Sequence, residues 1–267
     1  MESTLVLYSR GFRNWYRAVG LAITYEWRRR SSRNQFGIGA LTTFAEPLLM
    51  IIFLVIFRVW LRDRLPRFGL SAAVFYASGI LPFYLFQRLS SRGRLTKYEA
   101  LQRLPRVTST DQVVAQFCLD TCMYMAAFLL CFSALWLYGL DEARPWSLVD
   151  CAIPLVLLAA LGIGVGLANS AISYFIPLWS WIWSRLSRML IFTSGVFYIA
   201  DLMQYRIREI IVWNPIIHAI DWFRIGLYGN YPDLILDRGY LISWTIGALL
   251  FGIVAHSGSL RRTPWAK

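Results

Sequence analysis

The sequence predicts an all-α integral membrane protein. It has six transmembrane helices, an N-terminal amphipathic interface helix, and two short re-entrant helices between spans five and six. Three observations predict this. Hydrophobic residues make up 57% of the 267 positions and charged residues only 16%, with mean hydropathy +0.49; a soluble domain with one core does not have this balance. Apolar runs recur along the chain, and most are close to the roughly 20 residues a helix needs to cross a bilayer. The exception is 189–200, uncharged for only 12 residues, which leads into the stretch 194–231. There Arg206, Arg208, Glu209, Asp221 and Arg224 are interleaved with Ile207, Ile210, Ile211, Val212, Trp213, Trp222 and Phe223, and Asn214-Pro215 breaks the middle. Short apolar runs mark re-entrant or interfacial segments. Irregular backbone at membrane depth persists where protein buries it or where it lines a watery path. A path is therefore the first functional expectation.

The elements follow in order. Residues 1–35 carry seven arginines among Phe12, Trp15, Tyr16 and Trp27, a composition suited to a helix in the interface plane; a merely solvated tail is the alternative. The first span, 38–60, contains Glu46-Pro47, and the proline cannot donate to Thr43, so a kink is expected. The second, 70–89, contains Pro82 within GILPFYLF. A basic loop follows, with a short helical piece at 95–104 before Pro105. Thr108 to Asp111 offers capping side chains for the third span, 113–140. The fourth, 151–175, has Pro154 near its start, where proline is tolerated. Trp179, Trp181 and Trp183 suit a turn at headgroup level. The fifth span, 187–205, must recruit polar flanks. Amphipathic re-entrant helices are expected at 205–212 and 215–227, and the sixth span, 240–260, ends in a basic tail, 261–267.

Six spans place both termini on one side. Segments 1–37, 92–112, 177–188 and 257–267 hold 17 Lys and Arg, against 8 in 61–70, 141–150 and 201–239. The positive-inside rule makes the first set, and both termini, cytoplasmic. The net charge of +12 then points to orientation and anionic lipid rather than to nucleic acid. No internal repeat is visible, which disfavours inverted-repeat transporters. Six spans make a small wall for a wide path, and a symmetric homodimer supplies the rest.

No constellation in the sequence points to catalysis or metal binding. Gly162, Gly164 and Gly166 lie in an apolar span, where small residues serve helix packing, and no phosphate-binding Gly-Lys-Ser/Thr occurs. Cys118, Cys122, Cys131 and Cys151 match no zinc spacing, and the two histidines, His218 and His256, have no ligand cluster in sequence. The intramembrane carboxylates Glu46 and Asp120 have two readings, a structural ion pair or cytoplasm-facing position on one side and proton coupling on the other. Arg88 or Arg92 stands at the right level to partner them. Tyr76, Phe83, Tyr84 and Phe86 of the second span, with Phe197 and Tyr198 of the fifth, either pack helices or present an aromatic face to a sugar.

Glu46-Pro47, GILPFYLF at 79–86, Pro105-Arg106-Val107 with Asp111, SGVFY at 194–198 and NPIIHAIDWFRIGLYGNYP at 214–232 together resemble the membrane permease of polysaccharide-export ABC transporters. The capsular KpsM type is most similar in look, with O-antigen and teichoic acid permeases as cousins. The resemblance spans 36–260 and rests on the order and spacing of the segments; Met203 departs from it where such permeases often carry proline. The resemblance implies a homodimer in a bacterial inner membrane that binds no cofactor itself. Two separate ATPase subunits bind the ATP and magnesium. It implies a coupling helix at 95–104 with Arg94, Lys97, Tyr98 and Glu99 as contacts, and an exit gate carrying Asn214, Pro215, His218, Asp221 and Arg224. The implied substrate is a lipid-linked polysaccharide moved from cytoplasm to periplasm, and the implied further partners are a periplasmic adaptor and an outer-membrane channel. Drug or lipid export, and a membrane-embedded glycosyl- or acyltransferase, are the other readings. The last needs clustered acid and base groups, which the cytoplasmic loops do not show.

Overall fold

A computed structural model describes residues 19–28, 41–60, 68–92 and 109–260. Helix α1 covers 19–28. The others are α2 (Leu41–Trp60), α3 (Ala72–Ser90), α4 (Ser109–Leu137), α5 (Leu148–Phe175), α6 (Trp179–Thr193), α7 (Tyr205–Ile211), α8 (Pro215–Tyr228) and α9 (Arg238–Leu260). Single 3-10 turns stand at Asp141–Ala143 and Ala200–Leu202, and no strand occurs among the described residues. Among the described residues, three helical stretches are long and apolar enough to cross a bilayer: Val113–Leu137, Leu148–Phe175 and Arg238–Gly258.

Helices α3 and α5 form the centre. Helix α5 packs against α3, α6, α8 and α9, and α3 also meets α2, α4, α6 and α8. Both begin at serine caps: the Ser71 hydroxyl accepts from the Val74 amide and the Ser147 hydroxyl from the Asp150 amide, each satisfying one of the first-turn donors a helix leaves free. Pro82 lies inside α3 without ending it, and Pro154 sits in the second turn of α5. The exposed sides of α2, α4 and α9 carry Ile52, Phe53, Leu129, Leu130, Leu250 and Phe251, side chains that a bilayer solvates and water does not.

Two expectations shift. The helix expected at 187–205 lies earlier, at Trp179–Thr193, so the tryptophan-rich stretch is helical rather than a turn. Its polar residues do not interrupt it because they bond locally: the Ser184 hydroxyl donates to the Trp181 carbonyl at 2.8 Å, and Arg188 Nε to the Ser184 carbonyl at 3.1 Å. The chain leaves the helix at Ser194, and Gly195 follows with φ +70°. The second shift concerns 215–227. A helix stands there, but it is buried on nearly every side, from Ile216 to Leu227, and is therefore not amphipathic. The 95–104 piece, its contacts Arg94, Lys97, Tyr98 and Glu99, and most of the N-terminal 35 residues lie outside the described residues.

Candidate exit gate

The stretch between α6 and α9 is held by side chains that satisfy irregular backbone. Asn214 begins it. Its Oδ1 accepts from the Ile216 amide at 3.1 Å, capping α8, while Nδ2 donates to the hydroxyls of Thr193 at 3.1 Å and Ser194 at 3.0 Å. Pro215 takes the first helical position, where its missing N–H costs nothing. His218 is fully buried. Its Nε2 lies 2.8 Å from the Val212 carbonyl, and its Nδ1 accepts from the Asp237 amide at 3.1 Å. These two bonds fix the neutral tautomer with the proton on Nε2. Tyr240 closes the same corner, its hydroxyl donating to the Trp213 carbonyl at 2.7 Å. Asp201, outside the helices, accepts from the Leu234 and Ile235 amides, both at 3.1 Å.

Arg224 is the hub. Its side chain is 0% exposed. Nε donates to the Ser78 hydroxyl at 3.2 Å; Nη1 faces the Gly195 carbonyl at 2.8 Å, the Tyr231 hydroxyl at 3.1 Å and the Tyr198 carbonyl at 3.4 Å. Nη2 faces the carbonyls of Val196 at 3.1 Å and Phe75 at 3.5 Å. The guanidinium also lies over the Phe75 ring, 4.2 Å from its centroid, where the ring's negative face favours a cation. A planar group with five N–H donors is the one side chain that can gather this many acceptors. Four of those acceptors are backbone carbonyls, three from the turn after α6 and one, that of Phe75, from the first turns of α3. Asp221, one turn earlier, is buried within electrostatic reach of Arg224, and its Oδ1 has no hydrogen-bond partner among the described residues.

The sequence did not single out the residues that admit Arg224. Gly79 is the main one: a Cβ there would lie 2.8 Å from Arg224 Nη2 and 3.0 Å from the Val196 Cα. A glycine in mid-helix, four residues after the buried Phe75, was the available signal. Ser78 and Tyr231 carried none.

The other expected residues divide. Tyr76, Phe83 and Phe86 are buried in the core, while Tyr84, Phe197 and Tyr198 are half-buried. Asp120 is 0% exposed and pairs with both expected arginines, Arg88 Nε at 3.4 Å and Arg92 Nε at 2.9 Å. The three form an ion triad between the end of α3 and α4. Glu46 is exposed on α2 and lies within electrostatic reach of Tyr84. His256 is buried on α9. No group of three metal-ligating side chains occurs among the described residues.

No family model matches the chain. Curated proteins do. The polysialic acid transport protein KpsM of Escherichia coli is 24% identical over 85% of this chain and 89% of its own length. The chain's homologues include capsule polysaccharide export inner-membrane proteins. The capsule polysaccharide export inner-membrane protein CtrC of Neisseria meningitidis is 25% identical over 90% of both chains, and its counterpart BexB of Haemophilus influenzae 27% over 81% of this chain and 82% of its own.

Proposed function

We propose that this chain is the membrane permease subunit of an ATP-driven exporter that moves a capsular, lipid-linked polysaccharide from cytoplasm to periplasm. One observation carries the reading: homology to three capsule-export proteins of different bacteria, over more than four-fifths of the chain. In this reading the chain lies in the inner membrane with six spans and both termini cytoplasmic. Helix α2, α3, α4, α5, α6 and α9 are the spans, and α7 and α8 re-enter from the periplasmic side. The chain performs no covalent chemistry. A partner ATPase docks on 95–104 and the N-terminal helix, and two copies of the chain enclose the path.

The bundle suits this work in two respects. Buried Asp120 meets Arg88 and Arg92, and buried Arg224 meets carbonyls, hydroxyls and a ring, all within the protomer. Its half-buried Tyr84, Phe197 and Tyr198 and its exposed Glu46 are the groups left to meet a second copy or a glycan.

The test is localisation of glycan after deletion of the gene. We expect lipid-linked polysaccharide to accumulate inside the cell while the surface loses its coat, and plasmid-borne chain to reverse both. Loss of glycan synthesis itself would support a transferase and refute export. Tyr84→Ala and Tyr198→Ala in the restored chain should each reduce surface glycan; full export from both removes them from the path.

A further inference from the structure

The cytoplasmic end of α3 is fastened to α5 and α6 by a buried polar cluster that the export reading leaves unexplained. Asn169 of α5, 8% exposed, donates from Nδ2 to the Ser90 carbonyl at 2.9 Å and accepts at Oδ1 from Trp179 Nε1 at 2.9 Å. Trp183, one turn further along α6, points its indole N–H at the Ser90 hydroxyl at 3.4 Å and stacks on Trp179 with centroids 6.5 Å apart. Backbones close up beside the cluster: a Cβ at Gly166 of α5 would run into the Leu89 carbonyl oxygen.

Ser90 ends α3, and the last carbonyls of a helix lack partners within it. Asn169 supplies one from another helix. An amide side chain in an apolar span is costly unless both of its ends are satisfied. Here they are satisfied by two different helices, so one side chain holds the positions of α3, α5 and α6 relative to each other. Beyond Ser90 the chain runs toward 95–104. At the far end of α6, the Thr193 and Ser194 hydroxyls are held by Asn214, the cap of α8. Hydrogen bonds therefore tie both ends of α6, one to the start of the coupling segment and the other to the gate.

We propose that Asn169 is a positioning residue that couples the two. By locking the end of α3 to the α5–α6 hairpin, it delivers movement imposed on 95–104 to α6, and through Thr193, Ser194 and Asn214 to α8. This rests on the export reading. Without the lock, a partner could hydrolyse ATP while α3 slides past α6 and the gate stays still.

The test compares wild type with Asn169→Leu and Trp179→Phe, each co-expressed at full length with the partner ATPase. Leucine keeps the shape of asparagine without its polar atoms; phenylalanine keeps a ring without the indole N–H. Both variants should reach the membrane at wild-type abundance, retain the ATPase and hydrolyse ATP within about twofold of wild type. Glycan exported per ATP should fall about tenfold for Asn169→Leu, within the range that residues along a coupling route command, and less for Trp179→Phe. Unchanged export per ATP in both variants, or export and hydrolysis falling in proportion, overturns the proposal. If Asn169→Leu does not accumulate, Trp179→Phe decides by the same ratio. A wild-type chain that binds no ATPase refutes the export reading, and the coupling with it.

Discussion

Two buried charges at the residue scale show opposite logic. Arg224 has no counter-charge in hydrogen-bond contact; its partners are carbonyls, hydroxyls and a ring. Removing it would leave several buried acceptors unpaired, at about 1–3 kcal/mol each. We therefore expect Arg224→Met to lower the detergent-solubilised melting temperature sharply and to reduce membrane abundance. Arg224→Lys should recover little, since an ammonium has three donors in the wrong geometry. A melting temperature equal to wild type in either variant contradicts this. Asp120 is different, because its arginines remain 33% and 28% exposed and can snorkel to water if released. Asp120→Asn should thus be mild. Replacing Arg88 and Arg92 together by Ala takes both arginine charges from a buried carboxylate and should cost about 3–5 kcal/mol. Denaturation midpoints rank the two variants, and the reverse order sinks the argument.

At the element scale, α9 is seated against α5 by two glycines. A Cβ on Gly164 would lie 2.5 Å from the Ala248 carbonyl carbon, and one on Gly252 would collide with the Gly164 carbonyl. Without a hydrophobic drive between helices in lipid, this close backbone approach supplies the packing. Gly252→Ala should therefore force the helices apart and cost about 1–3 kcal/mol. Gly247→Ala, on the same helix with nothing within 4 Å, should be neutral or gain up to about 1 kcal/mol. Equal melting temperatures for the two variants would count against the α5–α9 contact.

The element scale also shows what a sequence can disclose. Apolar runs placed α2, α3, α4, α5 and α9 to within a few residues, because burial in lipid imposes length and composition locally. Helix α6 was displaced in the reading, since Arg185, Arg188 and three tryptophans look like a loop when their helix face is unknown. Helix α8 looked amphipathic because Asp221 and Arg224 are charged. What satisfies Arg224 in the interior is the set of carbonyls at Gly195, Val196, Tyr198 and Phe75, brought in from elsewhere in the chain by the fold. The partners of Asp120 were legible, because an ion pair in a membrane must find its counter-charge at the same depth. Asn169 was not, since its value lies in touching two helices at once.

At the scale of the whole molecule, α3 and α5 form a buried centre that packs against α2, α4, α6, α8 and α9. Elements packed in this way are suited to move as one body. If a partner drives it through 95–104, Tyr98→Ala and Glu99→Ala should weaken recovery of the ATPase with the chain from solubilised membranes, while the chain itself still inserts. Undiminished co-purification from both variants moves the docking surface elsewhere.

The claim on which the account turns is that this chain, with an ATPase, carries a lipid-linked polysaccharide across a bilayer. It is tested most directly in sealed proteoliposomes containing both proteins, by following protection of added glycan from an external glycan-degrading enzyme. Protection should require ATP and the chain together, and Asn169→Leu should lower it about tenfold without stopping hydrolysis. Protection that develops without ATP, or none with both proteins and ATP present, would contradict it.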